Sequence, residues 1–200
     1  CGKSTLLRVM AGQLAPQQGE ILLNGQSLYG THEALKHFVS YIPQDDAFDA
    51  ELRARFLGEH FAAARRERES LLDDANGALA LILLLDQVPR NVFRDSAHAF
   101  AADPLAREYA DRAIAAGLDL NVEPTLRIFF YLPFEHSEAL ADQERAVALC
   151  EALGDANYLK YAHAHRDVIL RFWRFPHRNR ALARVNTPEE QAWLDAGGGF

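Results

Sequence analysis

The sequence predicts a mainly α-helical fold built from antiparallel αα-hairpins, preceded by a small, incomplete α/β segment. Three observations lead to this prediction. Apolar residues recur at helical spacing through most of residues 46–200. Helix-capping and helix-ending residues separate these stretches by short connections, which favours antiparallel neighbouring helices. Residues 1–45 instead contain two short apolar stretches of the kind that form strands.

Bulk composition limits the classes of function. The formal net charge of −7 gives no overall attraction to nucleic acid or to an anionic membrane, so we expect neither as a partner. The two cysteines, Cys1 and Cys150, are far apart in the sequence, which is typical of a reducing compartment. The sequence shows neither a membrane-length apolar run nor a secretory signal, and we therefore expect a cytoplasmic protein without membrane insertion.

The first residues of the chain match the end of a phosphate-binding loop. Gly2, Lys3, Ser4 and Thr5 fit the last positions of the pattern G-x-x-x-x-G-K-[ST]. In a complete loop, backbone N–H groups surround the phosphate oxygens, the lysine neutralises the terminal phosphates and the hydroxyl group binds magnesium. These four residues are therefore candidate nucleotide-binding residues.

Two predicted strands follow the loop motif. Residues 19–23 predict a strand that leads into a turn at Asn24 and Gly25, and residues 38–43 predict a second strand that ends at Gln44. Together with the loop motif, this order resembles the nucleotide-binding domain of ATP-binding-cassette transporters over residues 1–45. The resemblance implies that Gln44 corresponds to the glutamine that contacts magnesium and the attacking water.

We expect this first segment to be a vestigial remnant rather than a competent ATPase. The first glycine of the loop would lie ahead of Cys1, and no LSGGQ-like signature follows Gln44. An apolar run that ends at Asp86 looks like a Walker B strand, but Gln87 stands where that family has a catalytic glutamate. We interpret the run as a buried helix. ATP and magnesium are expected only if the remnant is functional, and we predict no other cofactor and no metal.

Helical signals begin at a seam between Gln44 and Ala50, and we place the two domains at residues 1–45 and 46–200. No Gly/Ser-rich or Pro-rich linker marks the seam, which suggests a recombined reading frame. Signals for about seven helices follow. Apolar spacing predicts helices over residues 48–64 and 78–88, the second stopped by Pro89, and a further helix runs from Pro124 to residue 131 and is ended by Pro133. Caps predict the other four, which run from Asp103 to Gly117, from Ser137 to Leu153, from Asp155 to Phe175, and from the capping box of Thr187 and Glu190 to Gly197.

Three motifs in the second domain carry a resemblance to a known family. Residues 84–94 have the sequence LLDQVPRNVFR, residues 131–138 have YLPFEHSE and residues 174–179 have RFPHRN. In this order, they resemble the signature of a bacterial family known only as domain of unknown function nine-two-four, over residues 47–200. The resemblance implies an all-helical fold similar to the tetratricopeptide superfamily, and it implies no activity. One departure is Trp173, which stands where the family has a small residue.

Polar residues in these motifs are candidates for a ligand-binding site. Four of them surround Pro89 and could form the polar floor of a binding groove, or they could satisfy helix-end carbonyl groups and pair internally. The residues of the candidate site are Asp86, Gln87, Arg90, Asn91, Glu138, His177, Arg178 and Asn179.

Glu135 and His136 are the candidate catalytic residues. A Glu–His pair between two helices can act as an acid/base couple because imidazole titrates near neutral pH. The same pair could instead only stabilise the turn. Other histidines give no metal signal, since His163 and His165 lie two positions apart on a helix and point to different sides of it.

A basic stretch runs from Lys160 to Arg184 and contains seven Lys and Arg residues with one acidic residue, Asp167. In an acidic protein this pattern can indicate an anion site for phosphate or RNA. It can also be a solvated helix face whose charges pair with acidic helices. We expect the second arrangement.

Three hypotheses for function follow from these observations. The preferred one is a helical-repeat-like binding domain with a polar, anion-binding groove for a small anionic ligand or a protein partner. The second is an enzyme of unknown type that uses Glu135 and His136, with Arg90 and Arg178 holding an anion. The third is a nucleotide-binding remnant at the loop motif. Convergence of the three polar motifs on one cavity would favour the enzyme.

Overall fold

The computed structural model describes Leu22–Leu23, Gln26–Ser27 and residues 46–199. The chain divides into two units, Cys1–Arg55 and Phe56–Phe200. Most of the predicted α/β segment lies outside the described residues, and so do the candidate nucleotide-binding residues Gly2, Lys3, Ser4, Thr5 and Gln44.

The described part of the first unit contains a small hairpin. Strands β1 (Leu22–Leu23) and β2 (Gln26–Ser27) pair in antiparallel fashion, with Leu23 opposite Gln26. This pairing agrees with the hairpin that the intervening Asn-Gly pair predicts. Helix α1 (Asp46–Ala64) begins in this unit, at the predicted seam, and ends in the second unit.

The rest of the described chain is helical, which confirms the predicted mainly α fold. Within it, no helix combines the length and the apolar character needed to cross a membrane. After α1 come α2 (Ala75–Val92), α3 (Asp103–Ala115), α4 (Ile128–Glu135), α5 (Leu140–Leu153), α6 (Ala156–Phe172) and α7 (Pro188–Asp195), with short 3₁₀ helices at Glu69–Asp73, Ala97–Phe100, Leu118–Asn121, Pro124–Leu126 and Pro176–Arg178.

The core of the second unit is centred on α2 and α4. Leu81, Ile82 and Leu85 of α2 are completely buried, and all 8 residues of α4 are buried. Helix α2 packs against α3 and α4, and α5 packs against α4 and α6. Each large apolar side chain that is buried in this way stabilises the fold by about 1.5–3 kcal/mol. Because α2 and α4 pack together, the polar residues near their C-terminal ends come close to each other.

Two helices continue through a proline that the sequence predicts to end them. Helix α2 contains Pro89 and ends at Val92, and α4 contains Pro133 and ends at Glu135. A proline inside a helix cannot donate to the carbonyl group four residues earlier, at a cost of about 3 kcal/mol. Burial of both helices offsets this cost, since tertiary packing stabilises helices more than propensity does. These two predicted boundaries are therefore wrong.

Three predicted helix-end signals are confirmed. Gly154 adopts the left-handed conformation, with φ of 77°, directly after α5. The Asp155 side chain accepts hydrogen bonds from two backbone N–H groups at the start of α6. Thr187 and Glu190 form the capping box of α7. Capping signals of this kind depend only on backbone groups that are close in sequence, which explains why the helix ends that they predict are found in the structure.

Asp103 and Ser137 do not cap their helices, contrary to the prediction. Asp103 is the first residue of α3, and its side chain makes no capping hydrogen bond. It accepts hydrogen bonds from Arg90 instead. Ser137 precedes α5 and donates a 2.6 Å hydrogen bond to Asp142 in the first turn of that helix.

Candidate functional site

A cluster of charged side chains lies where the C-terminal ends of α2 and α4 meet the start of α3 and the turn Pro176–Arg178. We call this set the charged cluster. The three polar motifs, which are distant in sequence, converge in it. Four of its members are buried and Arg90 is 18% exposed at its side chain. The members are Asp86, Arg90, Asp103, His136 and Arg178.

Asp86 is the centre of the charged cluster and is only 1% exposed. Its Oδ1 lies 2.7 Å from Nδ1 of His136 and 3.1 Å from Nη1 of Arg90. Its Oδ2 accepts a hydrogen bond from the side-chain amide of Gln87. Both carboxylate oxygens therefore have partners, and Arg90 compensates the buried negative charge.

Asp103 joins two arginines that are distant in sequence. Nη1 and Nη2 of Arg90 each donate a 2.9 Å hydrogen bond to the Asp103 carboxylate, in the bidentate arrangement that guanidinium and carboxylate groups favour. Nη1 of Arg178 lies 3.6 Å from Oδ2 of Asp103. Asp103 therefore forms a close ion pair with Arg90 and a longer one, without a hydrogen bond, with Arg178.

Arg178 is held by aromatic rings rather than by hydrogen bonds. Its Cζ lies 4.6 Å from the ring centroid of Phe100 and 4.5 Å from that of Phe175, so the guanidinium group makes cation–π contacts with both rings. The residue is 6% exposed, and its buried Nε has no hydrogen-bond partner among the described residues. The structure gives no hydrogen bond from the other guanidinium nitrogens to any residue that it describes. The guanidinium group of Arg178 is therefore fixed in position by its neighbours, but its N–H donors have no acceptor among the described residues.

Glu135 and His136 contact different partners although they are adjacent. His136 contacts Asp86, whereas Oε1 of Glu135 lies 3.0 Å from Nδ1 of His165 on α6. The ring centroids of His136 and His165 are 6.4 Å apart. The structure therefore contains an Asp–His pair next to a Glu–His pair, and the catalytic roles of Glu135 and His136 stay predictions.

Glu138 connects the second motif to the segment that carries Arg178. Its carboxylate accepts two 2.9 Å hydrogen bonds from Arg184 and one of 2.9 Å from the backbone N–H of Phe175. The backbone of Phe175 is thereby fixed, and its ring is one of the two that contact Arg178. Glu138 is therefore a positioning residue for the charged cluster.

Burial and neighbouring charges set the protonation states in the charged cluster. Burial favours a higher pKa for Asp86, but Arg90 and His136 outweigh it and hold that pKa well below its usual range. Burial, with the charge of Arg90, lowers the pKa of His136 to about 3, so its imidazole is neutral at neutral pH. Burial and Arg90 also lower the pKa of Arg178 to about 10. Burial raises the pKa of Asp103.

Two of the predicted ligand-binding residues satisfy groups of their own helix. The side-chain amide of Asn91 donates a 2.8 Å hydrogen bond to the backbone carbonyl of Gln87, and Gln87 donates to Asp86. This arrangement agrees with the alternative that these residues satisfy helix-end carbonyls and buried charge. Neither contact excludes a ligand, so their binding role stays a prediction.

The other two candidate residues flank Arg178. Asn179 is completely buried; its Nδ2 donates a 2.8 Å hydrogen bond to Oδ1 of Asn186, and its own Oδ1 has no partner in the described part of the chain. The His177 ring lies 5.5 Å from the Phe175 ring. Burial and the charge of Arg178 lower the pKa of His177 to about 4, so it is neutral as well.

The basic stretch of residues 160–184 is largely paired with acidic residues. This observation favours the paired-face interpretation over an RNA surface. Across residues 46–199, no group of three or more His, Cys, Asp or Glu side chains is arranged to hold a metal ion. The ion pairs of the stretch are Arg166 with Asp167, Arg171 with Glu189, Arg174 with Glu190, Arg178 with Asp103, and Arg184 with Glu138.

Sequence reasoning misses Asp103, Phe100 and His165 as parts of the site. Asp103 precedes a proline at a helix start, a pattern that also predicts a helix cap. A better signal is the presence of Arg90 in an apolar helix, since a buried cation needs a carboxylate partner from elsewhere in the chain. Phe100 and His165 lie outside the three motifs, and no local pattern distinguishes them.

The fold and the charged cluster define a helical domain with a buried polar centre. A family model described as "Bacterial protein of unknown function (DUF924)" matches residues 29–198, and the chain belongs to this family, as its three motifs predict. The solved structure of the protein of unknown function ATU0120 from Agrobacterium tumefaciens is 52% identical, with a TM-score of 0.75, and the match covers 79% of this chain and 89% of that one. The family match begins ahead of residue 46, the predicted start of the helical domain.

Relatives of a second kind match parts of the chain. CydC, a glutathione/L-cysteine transport system ATP-binding/permease protein of Escherichia coli, is 46% identical over 59 residues, or 28% of this chain and 10% of that protein. The ABC transporter ATP-binding/permease protein Rv1747 of Mycobacterium tuberculosis is 28% identical over 82 residues, or 41% of this chain and 10% of that protein. The Fe(3+) ions import ATP-binding protein FbpC of Yersinia pestis is 27% identical over 169 residues, or 82% of this chain and 44% of that protein. The chain therefore spans less than half the length of each of these three proteins.

Proposed function

We propose that the helical domain binds a small anionic ligand, a carboxylate or a phosphate, at Arg178. The observation that carries this proposal is the state of the Arg178 guanidinium group. It is buried against the rings of Phe100 and Phe175, and it makes no hydrogen bond to any described residue. Proteins rarely bury a charged donor without acceptors, and a bound anion supplies the acceptors that are missing here.

The chemistry of the guanidinium group defines the ligand class. A guanidinium group has five N–H donors in one plane, and their fork matches two oxygens of a carboxylate or phosphate group. The rings of Phe100 and Phe175 already make cation–π contacts with the group, whereas its N–H donors have no acceptor among the described residues. This difference favours a bidentate contact with ligand oxygens over a further cation–π or stacking contact.

The electrostatics of the charged cluster support the same ligand. Burial and the nearby Arg90 lower the pKa of Arg178, which means that its surroundings disfavour the positive charge. The counter-charge nearest to Arg178, Asp103, is already held by two hydrogen bonds from Arg90. A ligand anion that accepts hydrogen bonds from Arg178 therefore supplies a closer counter-charge than Asp103, which lies 3.6 Å away.

Isothermal titration of the full chain with inorganic phosphate, acetate, malonate and citrate tests the proposal. We expect saturable binding of at least one anion. We expect Arg178→Gln to weaken that binding by about 10-fold or more, since it removes charge-assisted hydrogen bonds. The affinity of Arg178→Lys should lie between those of the wild type and Arg178→Gln, because lysine keeps the positive charge but lacks the two parallel N–H donors of a guanidinium group.

The matched control is Arg171→Gln, which removes a surface arginine that pairs with Glu189. It should bind the anion as the wild type does. The proposal is contradicted if none of the four anions binds, or if the Arg171 and Arg178 variants lose affinity equally. Equal losses would indicate a general surface charge effect rather than a site.

We also propose that the scaffold of this site is a tetratricopeptide-like set of antiparallel αα-hairpins. Consecutive helices from α2 to α6 pack against each other, and short connections join α4 to α5 and α5 to α6, which supports this arrangement. In this view, the three motifs lie near helix ends on one side of the array.

A second candidate function is an enzyme that uses His136 and Glu135. The observation that favours it is the Asp86–His136 pair, because a carboxylate that orients an imidazole is a common arrangement in acid/base catalysis. Conversion of a bound anion into a product, monitored by proton NMR, would support it if His136→Gln stopped the conversion and still bound the anion.

A third candidate, favoured by the partial matches to ABC proteins, is nucleotide binding by Gly2, Lys3, Ser4 and Thr5 without hydrolysis. Titration with ATP, with and without magnesium, tests it. Binding that is lost in Lys3→Ala would support it.

A further inference from the structure

The two imidazole nitrogens of His136 differ in their contacts with the described residues. Nδ1 lies 2.7 Å from Oδ1 of Asp86. An ionised carboxylate only accepts hydrogen bonds, so Nδ1 must carry a proton. In a neutral imidazole, Nε2 then has the lone pair. The structure gives no hydrogen bond between Nε2 and any residue that it describes.

The groups around His136 keep the ring neutral. Asp86 contacts the ring from α2, and the positive charges of Arg90 on the same helix and of Arg178 in the turn after α6 act on it. Arg90 already compensates the charge of Asp86 at 3.1 Å, so the carboxylate does not need a charged imidazole as its partner. Two guanidinium groups near the ring also oppose a third positive charge. At neutral pH, His136 therefore presents a hydrogen-bond acceptor.

An anion without a hydrogen-bond donor gains no affinity from the acceptor at Nε2. The lone pair on Nε2 repels carboxylate or phosphate oxygens, because both sides are acceptors. A hydroxyl group on the ligand changes the balance, since it donates to Nε2 while the anionic group binds the arginine. Arg178 and His136 belong to one cluster, linked through Asp103, Arg90 and Asp86. A ligand with one anionic group and one hydroxyl donor therefore matches the two unsatisfied groups of this cluster.

We infer that the ligand bound at Arg178 is a small hydroxycarboxylate whose hydroxyl group donates a hydrogen bond to Nε2 of His136. The inference rests on the proposed anion site, which it extends to a ligand class. His136 and Asp86 then act together as a specificity-determining pair: His136 contacts the ligand, and Asp86 fixes the ring and its tautomer.

Matched pairs of probes test the inference in the wild-type full chain, without a variant that risks misfolding. Glycolate is compared with acetate, and lactate with propionate, by isothermal titration at pH 7. Each pair differs by one hydroxyl group. We expect the hydroxylated member to bind about 3- to 10-fold more tightly, the effect of one additional hydrogen bond.

Nitrogen-15 NMR of the histidine side chains provides the second readout. In the free protein at pH 7 we expect His136 as the neutral Nδ1–H tautomer. We expect its Nε2 resonance to move on addition of glycolate and to stay in place with acetate, while exposed His98 responds to neither.

The outcomes separate this inference from the proposed function. A protonated Nε2 in the free protein overturns the inference alone. Equal affinities for both members of each pair, with an unchanged Nε2 resonance, also overturn the inference and leave the anion site standing. If none of the four probes binds, the inference fails, and the phosphate and citrate titrations decide whether the anion site fails with it.

Discussion

Asp86 and His136 are 50 residues apart in sequence, and their side chains meet at 2.7 Å. This contact joins the end of α2 to the end of α4. Because Asp86 also contacts Arg90, the carboxylate compensates one buried guanidinium group and orients one buried imidazole at the same time. The stability of the fold and the geometry of the candidate site therefore depend on the same side chain.

Replacement of Asp86 should destabilise the domain strongly. Asp86→Asn keeps the shape and removes the charge, which leaves Asp103 to compensate Arg90 and removes the charge-assisted hydrogen bond to His136. We expect the free energy of unfolding in urea to fall by about 1.5–3 kcal/mol. Asp167→Asn is the control, since that carboxylate is 64% exposed and pairs with Arg166 at the surface; it should change stability by no more than about 0.5 kcal/mol. Similar losses in both variants would contradict the role of Asp86.

Stability should fall as the pH falls from about 6.5 toward 4. The pKa of His136 is about 3 and that of His177 about 4 in the folded protein, both below the ordinary value of 6.5, mainly because of burial. As the pH drops through 6.5, the unfolded chain binds protons that the folded chain does not, so the folded state loses stability. Each group contributes a slope of at most about 1.4 kcal/mol per pH unit.

Urea unfolding at several pH values between 7.5 and 4.5 measures this dependence. His136→Gln removes one of the two groups and should give a shallower slope than the wild type. His98→Gln, which replaces an exposed histidine, is the control variant. A wild-type stability that is constant or rises over this range would be inconsistent with neutral, buried imidazoles.

Two glycine substitutions should have opposite effects on stability. Gly77 lies in the first turn of α2, where a Cβ atom would overlap the backbone carbonyl of Leu71. Gly77→Ala should therefore lower the free energy of unfolding by about 1–3 kcal/mol. Gly58 lies in α1, with open space where a Cβ would be. Gly58→Ala should raise stability by up to about 1 kcal/mol, because alanine favours the helix. Thermal or urea unfolding measures whether each variant is more or less stable than the wild type. A Gly77→Ala variant that is more stable would show that Gly77 does not lie close to the backbone carbonyl of Leu71.

Cys150 should react with alkylating reagents only when the domain unfolds. Burial raises the pKa of its thiol to about 12, and Glu135 and Asp155 add to this effect. The thiolate is the reactive form, so labelling by iodoacetamide at pH 8 should be slow in the native protein and fast in urea. Measurement in a Cys1→Ser background isolates this thiol. Fast labelling of the native protein would show that α5 is less well packed than the structure indicates.

Local sequence signals predict much of this fold. The caps at Gly154, Asp155 and Thr187 and the three family motifs can be identified from short stretches, because each depends on residues that are close in sequence. The apolar spacing that predicts α2 survives in the structure even though Pro89 is inside the helix. A local rule fails there because burial of the whole helix outweighs the loss of one backbone hydrogen bond.

The charged cluster could be predicted only in part. Asp86, Arg90, His136 and Arg178 lie in the three motifs, where charged and polar residues stand beside prolines and apolar residues. Their pairing depends on how α2, α3 and α4 pack, which a single sequence does not reveal. For this reason the actual neighbour of the arginines, Asp103, looks like a helix cap in the sequence.

Nuclear magnetic resonance of the arginine Nε–H groups detects anion binding at Arg178 itself. The full chain, labelled with nitrogen-15 in arginine, is titrated with phosphate and with glycolate. We expect the Nε–H signal of Arg178 to move and to saturate with at least one of them, while the signal of Arg171 on the surface stays in place. If the Arg178 signal does not move, or if all arginine signals drift together without saturation, Arg178 does not bind the anion.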